Sequence, residues 1–137
     1  MADIPLVTVL LPVYNAEEYI LESLQSVVDQ TYPCIEILVI NDGSTDGSVA
    51  VVESFQDDRI RLEHNEQNLG LIATLNKGIE LASGKYIVRA DADDRCMEDR
   101  VKKQVEFMET HHEVGISGCA FGNFGEDYEY TVRSFSS

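Results

Sequence analysis

The chain has 137 residues, 44% of them hydrophobic and 8% aromatic, enough for one domain that buries about two thirds of its unfolded surface, which excludes disorder as the main reading. Asp and Glu number 25 against 10 Lys and Arg, a net charge of −15, which disfavours nonspecific binding to nucleic acid and lying flat on an anionic membrane, since both need clustered cations. Cys34, Cys96 and Cys119 are odd in number and widely spaced, so neither a disulfide framework nor a zinc knuckle is expected and a reduced, cytoplasmic setting is the default.

Residues 1–5 lack the pattern of a signal peptide, and no apolar stretch approaches the roughly 20 residues that span a bilayer. Residues 6–11 form a continuous apolar run with one Thr, stopped by Pro12, which is how a strand covered on both faces of a parallel sheet reads. Asn15 precedes Glu18 at a capping-box spacing, and Ile20, Leu24, Val27 and Val28 recur at helical intervals, which predicts a helix over 16–30. The alternation then repeats. A strand at 35–40 leads into the turn-rich Asn41-Asp42-Gly43-Ser44-Thr45-Asp46-Gly47 and a short helix bearing Val49, Val52 and Phe55.

A weaker strand at 60–63 precedes a helix over 69–82, with Ile72, Leu75, Ile79 and Ala82 on its inward stripe and Ser83-Gly84 as its C-cap signal. A fourth strand at 85–89 is followed by a helix over 97–111, with Val101, Val105 and Met108 inward and Met97 in the core. A fifth strand is expected at 114–119, and Tyr128, Tyr130 and Val132 alternate like an edge strand that could pair with another copy. No repeat, low-complexity tract or linker interrupts residues 1–137, which read as a single α/β domain. The expected fold is a mostly parallel sheet with helices on both faces, and the final residues read as cut rather than finished.

In an open parallel sheet, ligands sit beyond the carboxyl ends of the strands, where strand order reverses. With the first strand between the second and fourth, Asp42, Asp91, Asp93 and Asp94 converge on one rim. Two full charges about 4 Å apart repel by about 4 kcal/mol at an effective dielectric of 20, so such a cluster calls for a cation. All-oxygen donors select Mg²⁺ or Mn²⁺ over zinc, and such ions keep positions for phosphate oxygens. No P-loop and no G-x-G-x-x-G follows the first strand, which excludes the common alternatives. Asn41-Asp42-Gly43 alone would be a turn, and Asp91-Ala92-Asp93-Asp94 alone an acidic helix start.

Pro12-Val13-Tyr14-Asn15, Asn41-Asp42-Gly43-Ser44-Thr45-Asp46, Asn68-Leu69-Gly70 and Gly84-Lys85-Tyr86-Ile87 leading into Asp91-Ala92-Asp93-Asp94 together resemble the nucleotide-binding half of the family 2 glycosyltransferases of the GT-A fold. The likeness runs in order along residues 6 to 119. It implies a Rossmann-like GT-A domain in which Asp42 accepts a hydrogen bond from uracil or another base and the backbone around Pro12 and Tyr14 borders base and ribose. Asp91 and Asp93 match the D-x-D pair, the first near ribose and donor sugar, the second on the metal at the diphosphate. Asp94 would support the pair and Arg89 partner a nearby carboxylate.

Asn15, Asn68, Gly70 and Ala92 complete the implied nucleotide-sugar set, although Asn15 alone reads as an N-cap and Asn68 with Gly70 as a turn before a helix. The implied activity is transfer of a sugar, with inversion, from a nucleoside-diphosphate sugar, a UDP-sugar favoured, to a saccharide or lipid-linked acceptor. Polysaccharide or cell-envelope biosynthesis at the inner face of the membrane is compatible with it. The family's general base lies downstream, beyond Ser137, so Glu126 and Asp127 come too early. The alternative is a nucleotide-sugar binding module without turnover. A receiver-like domain is disfavoured, because the third strand ends Leu62-Glu63-His64 where a phosphoacceptor Asp would stand. His64 reads as solvated or locally hydrogen-bonded, and His111 and His112 as helix-terminal cations.

Overall fold

The computed structural model describes residues 4–111 and the backbone of two later strands, 114–119 and 132–136. The apolar runs without alternation become the two central strands, β1 (Val7–Val13) and β2 (Ile35–Asn41), buried at nearly every position. β1 pairs in parallel with β2 on one side and with β4 (Tyr86–Arg89) on the other, and β2 pairs in parallel with β3 (Ile60–His64). The order is β3-β2-β1-β4. β1 is therefore central, and the chain reverses its direction of travel across the sheet beside it.

Side chains of a strand alternate between faces, and β1 divides the core accordingly. Val7, Val9, Leu11 and Val13 pack with Ile20, Leu24 and Val27 of α1 (Ile20–Val28), Val52 of α2 (Ser48–Glu53), and Val101 and Val105 of α4 (Arg100–Thr110). On the opposite face Leu10, with Leu38 and Ile40 of β2, packs against Leu75 and Leu81 of α3 (Leu71–Leu81). Burying each such side chain stabilises the fold by about 1.5–3 kcal/mol, so most of the apolar stabilisation lies on the α1/α2/α4 face.

The expectations around α1 and α3 are corrected first. α1 begins at Ile20, preceded by a turn whose Ala16 carbonyl accepts the Tyr19 and Ile20 N–H groups. Asn15 does not cap it, because its Oδ1 accepts from the Thr45 N–H at 2.8 Å. α3 turns a different face to the sheet than the Ile72/Ile79 stripe: Thr74 and Gly78 are its buried residues, while Ile72 and Ile79 are 78% and 56% exposed. Leu10 explains this, since a Cβ on Gly78 would lie 2.3 Å from Leu10 Cδ1; only glycine lets the helix seat so closely. Ser83-Gly84 is not a C-cap, as Ala82 ends α3 in an extended conformation and the Gly84 N–H donates to Thr8 Oγ1 at 2.9 Å.

At the far end α4 starts at Arg100, and Met97, expected in the core, is 43% exposed in the segment before it. β5 (Val114–Cys119) does not extend the parallel sheet; it pairs antiparallel with β6 (Val132–Ser136) in a separate two-stranded sheet. An apolar strand pattern carries no record of its partner, and here the partner lies later in the chain. Tyr128 and Tyr130 fall outside the described residues. No helix among the described residues is long and apolar enough to cross a membrane.

The seating of α3 gives a test in which two effects oppose each other. Helix propensity alone makes Gly78→Ala stabilising by about 1 kcal/mol, whereas overpacking against a Leu10 that is only 1% exposed costs about 1–3 kcal/mol. Net destabilisation is expected in urea unfolding, and a stabilised variant would show that α3 does not bear on Leu10.

Candidate functional site

The register ends β1 and β2 level, Val13 beside Asn41, and ends β4 three residues earlier, Arg89 beside Leu10. The Asp42 N–H continues the β1–β2 ladder by donating to the Val13 carbonyl at 2.8 Å, and the Ala90 N–H continues the β1–β4 ladder onto Leu10. The segments leaving β1, β2 and β4 therefore emerge side by side at the strand-order reversal, the position where open parallel sheets bind ligands. Between them lies an open cleft of about 690 Å³. The nine residues of the implied nucleotide-sugar set line it, Pro12, Tyr14, Asn15, Asp42, Asn68, Gly70, Asp91, Ala92 and Asp93, whereas Asp94, expected on the same rim, does not. Arg89 lines it too, as do Tyr19, Leu71 and Thr74, which the sequence reading did not single out.

Asp42 holds one wall. Its residue is only 4% exposed, so its carboxylate must be satisfied from within. Oδ1 accepts from the Leu69 N–H at 2.7 Å and from Asn65 Nδ2 at 2.9 Å; Oδ2 accepts from the Gly70 N–H at 3.1 Å and from Asn68 Nδ2 at 3.3 Å. Asn65 Nδ2 also donates to Thr74 Oγ1, whose hydroxyl donates to the Gly70 carbonyl. One carboxylate thus gathers the segment between β3 and α3 over the end of β2. Gly43, at φ 73°, lets the two approach: a Cβ there would sit 2.6 Å from the Asn68 nitrogen. Burial pushes the Asp42 carboxyl up, but the bonds from Leu69, Asn65 and Gly70 hold it below the ordinary value.

Asn68 and Gly70, read as a turn or as ligand contacts, both line the cleft and both donate to Asp42. Asn65, buried and bridging Asp42 to Thr74, escaped the sequence reading because an Asn beside a Glu in a loop looks like any solvated residue. Asn15 sits in the left-handed region at φ 47°. Its N–H donates to Ser44 Oγ, the Ala16 N–H to Ser48 Oγ and the Glu17 N–H to Asp46 Oδ2. The polar residues after Asp42 therefore clamp the segment that carries Tyr14 and Tyr19, whose side chains remain 53% and 55% exposed on the cleft wall.

The opposite wall is acidic. Asp91, half-buried, pairs with Arg89 Nε at 3.1 Å, as its neighbourhood in sequence had suggested. Both partners are too exposed for this contact to be worth more than about 1 kcal/mol. Asp93 and Asp94 are exposed. Burial and then the charges of Asp93 and Asp91 push the Asp94 carboxyl up, against the opposing pull of Arg100. The four carboxylates expected to converge do not: among the described residues no three His, Cys, Asp or Glu side chains are grouped to hold a metal ion, which leaves Asp91 and Asp93 in a cleft lining that contains no His or Cys. This donor set fits a hard divalent cation that takes its remaining oxygens from water or a ligand's phosphates.

His64 is outside the cleft, with its Nδ1 3.1 Å from Asn41 Nδ2, and His111 ends α4 beside Phe107. His112, Glu126 and Asp127 lie outside the described residues.

The sign of the Asp42 shift fixes a pH dependence. A carboxyl depressed in the folded state contributes stability that is complete above its unfolded value of about 4 and is lost as pH falls through the lower folded value. Asp42→Asn should cost about 2 kcal/mol at pH 7, because it sets an amide against buried N–H donors. It should also reduce the loss of stability below pH 4 in urea unfolding. An acid limb equal to that of the unmutated chain would contradict this role.

The comparisons bear on the whole of this architecture. A model described as Glycosyl transferase family 2 matches residues 8–136. An uncharacterized glycosyltransferase of Haemophilus influenzae is 43% identical over 120 residues, 86% of this chain and 37% of its own length. TuaG of Bacillus subtilis, provisionally named a teichuronic acid biosynthesis glycosyltransferase, is 40% identical over 106 residues, 76% of this chain and 42% of its own. Among solved structures, Staphylococcus aureus TarS 1-349 in complex with UDP-GlcNAc aligns with a TM-score of 0.76 at 27% identity, covering 90% of this chain and 36% of that one. The mannosyltransferase PcManGT of Pyrobaculum calidifontis, in complex with GDP-Man and Mn²⁺, aligns at 0.72 and 30% identity, covering 78% and 33%. The chain thus spans well under half the length of these relatives. Its parallel sheet flanked by helices is their Rossmann-like GT-A arrangement, and the chain belongs to glycosyl transferase family 2.

Proposed function

We propose that the cleft binds the donor of a glycosyl transfer, a nucleoside-diphosphate sugar, with the base against Tyr14 and Asp42 and the diphosphate against Asp91 and Asp93. What carries the reading is the composition of the cleft: aromatic and hydrogen-bonding residues, Tyr14, Tyr19, Asn68 and Asp42, line it together with the acidic pair Asp91 and Asp93. The structural neighbours hold UDP-GlcNAc and GDP-Man, which favours this ligand class, a UDP-sugar first. Asp42 Oδ2 carries the two longer of the carboxylate's contacts. It is the oxygen that accepts from a base N–H, with the Asn68 amide at 3.3 Å giving way. Pro12, Asn15 and Gly70 shape the backbone around base and ribose.

Asp93, with Asp91, would hold Mg²⁺ or Mn²⁺, whose charge offsets that of the departing nucleoside diphosphate. Arg89 keeps Asp91 paired in the free chain, and Ala92 sets the spacing of the two carboxylates. Transfer proceeds with inversion: the acceptor oxygen bonds the anomeric carbon as the bond to the diphosphate breaks, and a carboxylate base takes the hydroxyl proton. A saccharide or lipid-linked acceptor fits this chemistry, as does a place in polysaccharide biosynthesis, the role for which TuaG is named. A second reading, donor binding without turnover, is favoured for residues 1–137 alone by their short span of the relatives' length.

Calorimetric titration with UDP and GDP tests the site. Affinity should be about tenfold or more higher with Mn²⁺ than with EDTA, within the usual range of coupling between two ligands. Asp93→Asn should remove the enhancement, and Asp42→Ala should weaken binding under both conditions. Equal affinity with Mn²⁺ and EDTA would exclude the metal role. The second reading is separated by a transfer assay: residues 1–137 are expected to bind donor yet transfer sugar negligibly, because loss of a general base alone costs about 10²- to 10⁴-fold. Robust transfer by them would overturn it.

A further inference from the structure

The backbone of the acidic segment between β4 and α4 is hydrogen-bonded to one face of α1. Ser23 Oγ donates to the Asp91 carbonyl at 2.7 Å, and the Cys96 N–H donates to Ser26 Oγ at 2.9 Å. Gln30 Nε2 donates to the Met97 carbonyl at 2.6 Å, while its Oε1 accepts from the Val101 N–H at 3.0 Å. Positions 23 and 26, one turn apart, share one side of α1, and Gln30 follows two residues after its end. Ser23 and Gln30 are 2% and 7% exposed, inside an otherwise apolar interface where an unpaired hydroxyl or amide costs about 1–3 kcal/mol. The Ser23 hydroxyl is satisfied by the Asp91 carbonyl, and the Gln30 amide, which also donates to the Ser26 carbonyl at 3.1 Å, by the Met97 carbonyl and the Val101 N–H.

The consequence is geometric. The segment is pinned at Asp91 by Ser23 and at Cys96 by Ser26, on either side of Asp93. Between the pins Ala92 is 9% exposed and packs into the core cluster, while Asp93, its neighbour on the chain, is exposed and lines the cleft. Capping of α4 explains the Gln30–Val101 bond alone. It does not account for a serine held against the Asp91 carbonyl, nine positions before α4 begins.

We propose that Ser23 and Ser26, supported by Gln30, are positioning residues: they fix the spacing at which Asp91 and Asp93 share a divalent cation with a nucleoside diphosphate. This rests on the reading of Asp91 and Asp93 as cation-binding. Groups that orient metal-binding side chains commonly change metal affinity about 10- to 100-fold when removed.

The test is the ratio of UDP affinity in Mn²⁺ to that in EDTA, measured calorimetrically for the chain, Ser23→Ala, Ser26→Ala and Ser23→Thr, with thermal melting alongside. Ser23→Ala is expected to lower the ratio about tenfold, leave affinity in EDTA unchanged and recover the ratio in Ser23→Thr, which restores the hydroxyl. Should Ser23→Ala fail to fold, the half-buried Ser26→Ala carries the same comparison. A ratio unchanged in the alanine variants, or affinities in Mn²⁺ and EDTA that fall together, would overturn the positioning role while leaving the cation reading intact. A ratio of one in the unmutated chain would overturn both.

Discussion

A carboxylate buried at the end of a parallel strand has to find its hydrogen bonds nearby, and much of this cleft follows from how Asp42 finds them. Its two oxygens collect the N–H groups of Leu69 and Gly70 and the amides of Asn65 and Asn68. That single residue thereby fixes the segment opening α3, the start of the helix itself and one wall of the cleft. The approach is so close that the next residue must be glycine. The bonds from Leu69, Asn65 and Gly70 outweigh the burial that opposes ionisation, so the group stays charged at neutral pH. The same carboxylate that organises the wall is then a preformed, ionised acceptor on it.

The acidic wall is organised in the opposite sense. There Asp91 is half-buried, Asp93 and Asp94 are exposed, the charges of Asp93 and Asp91 act on Asp94, and order is supplied through the backbone by α1 and by the packing of Ala92. The clamp of residues 15–17 onto the Ser44–Ser48 turn reaches the same helix from its other end. α1 consequently spans the distance between the clamped turn that carries Tyr14 and the acidic segment. A scaffold that holds both ends of a cleft before any ligand arrives reduces the ordering cost of binding.

The β-strands and their parallel order were legible because unbroken apolar runs such as 35–40 have only one comfortable environment, a sheet covered on both sides. The cleft was legible for a related reason: strand order dictates which loops meet, and of the four carboxylates picked on that basis Asp42, Asp91 and Asp93 line it while Asp94 does not. What the sequence hid was pairwise. The inward face of α3 depends on the fit of Gly78 to Leu10, which no periodicity records, so Ile72 and Ile79 were assigned to the wrong side. Asn15 carried a capping-box spacing, yet Ser44 and Thr45, some thirty residues away, offered partners that the helix start did not. Ser23, Ser26 and Gln30 looked like the polar face of an amphipathic helix. Their partners are backbone groups, which leave no trace in residue identity.

The central claim is that one cleft, with a hydrogen-bonding wall at Asp42 and an acidic wall at Asp91 and Asp93, receives a nucleoside diphosphate in a single orientation. A crystal structure of the chain soaked with UDP and Mn²⁺ tests it most directly. The account predicts the uracil beside Tyr14 with an N–H directed at Asp42 Oδ2, and the diphosphate and metal at Asp93. Nucleotide bound outside this cleft, or lying in it with the base at Asp93 and the phosphates at Asp42, would contradict the account.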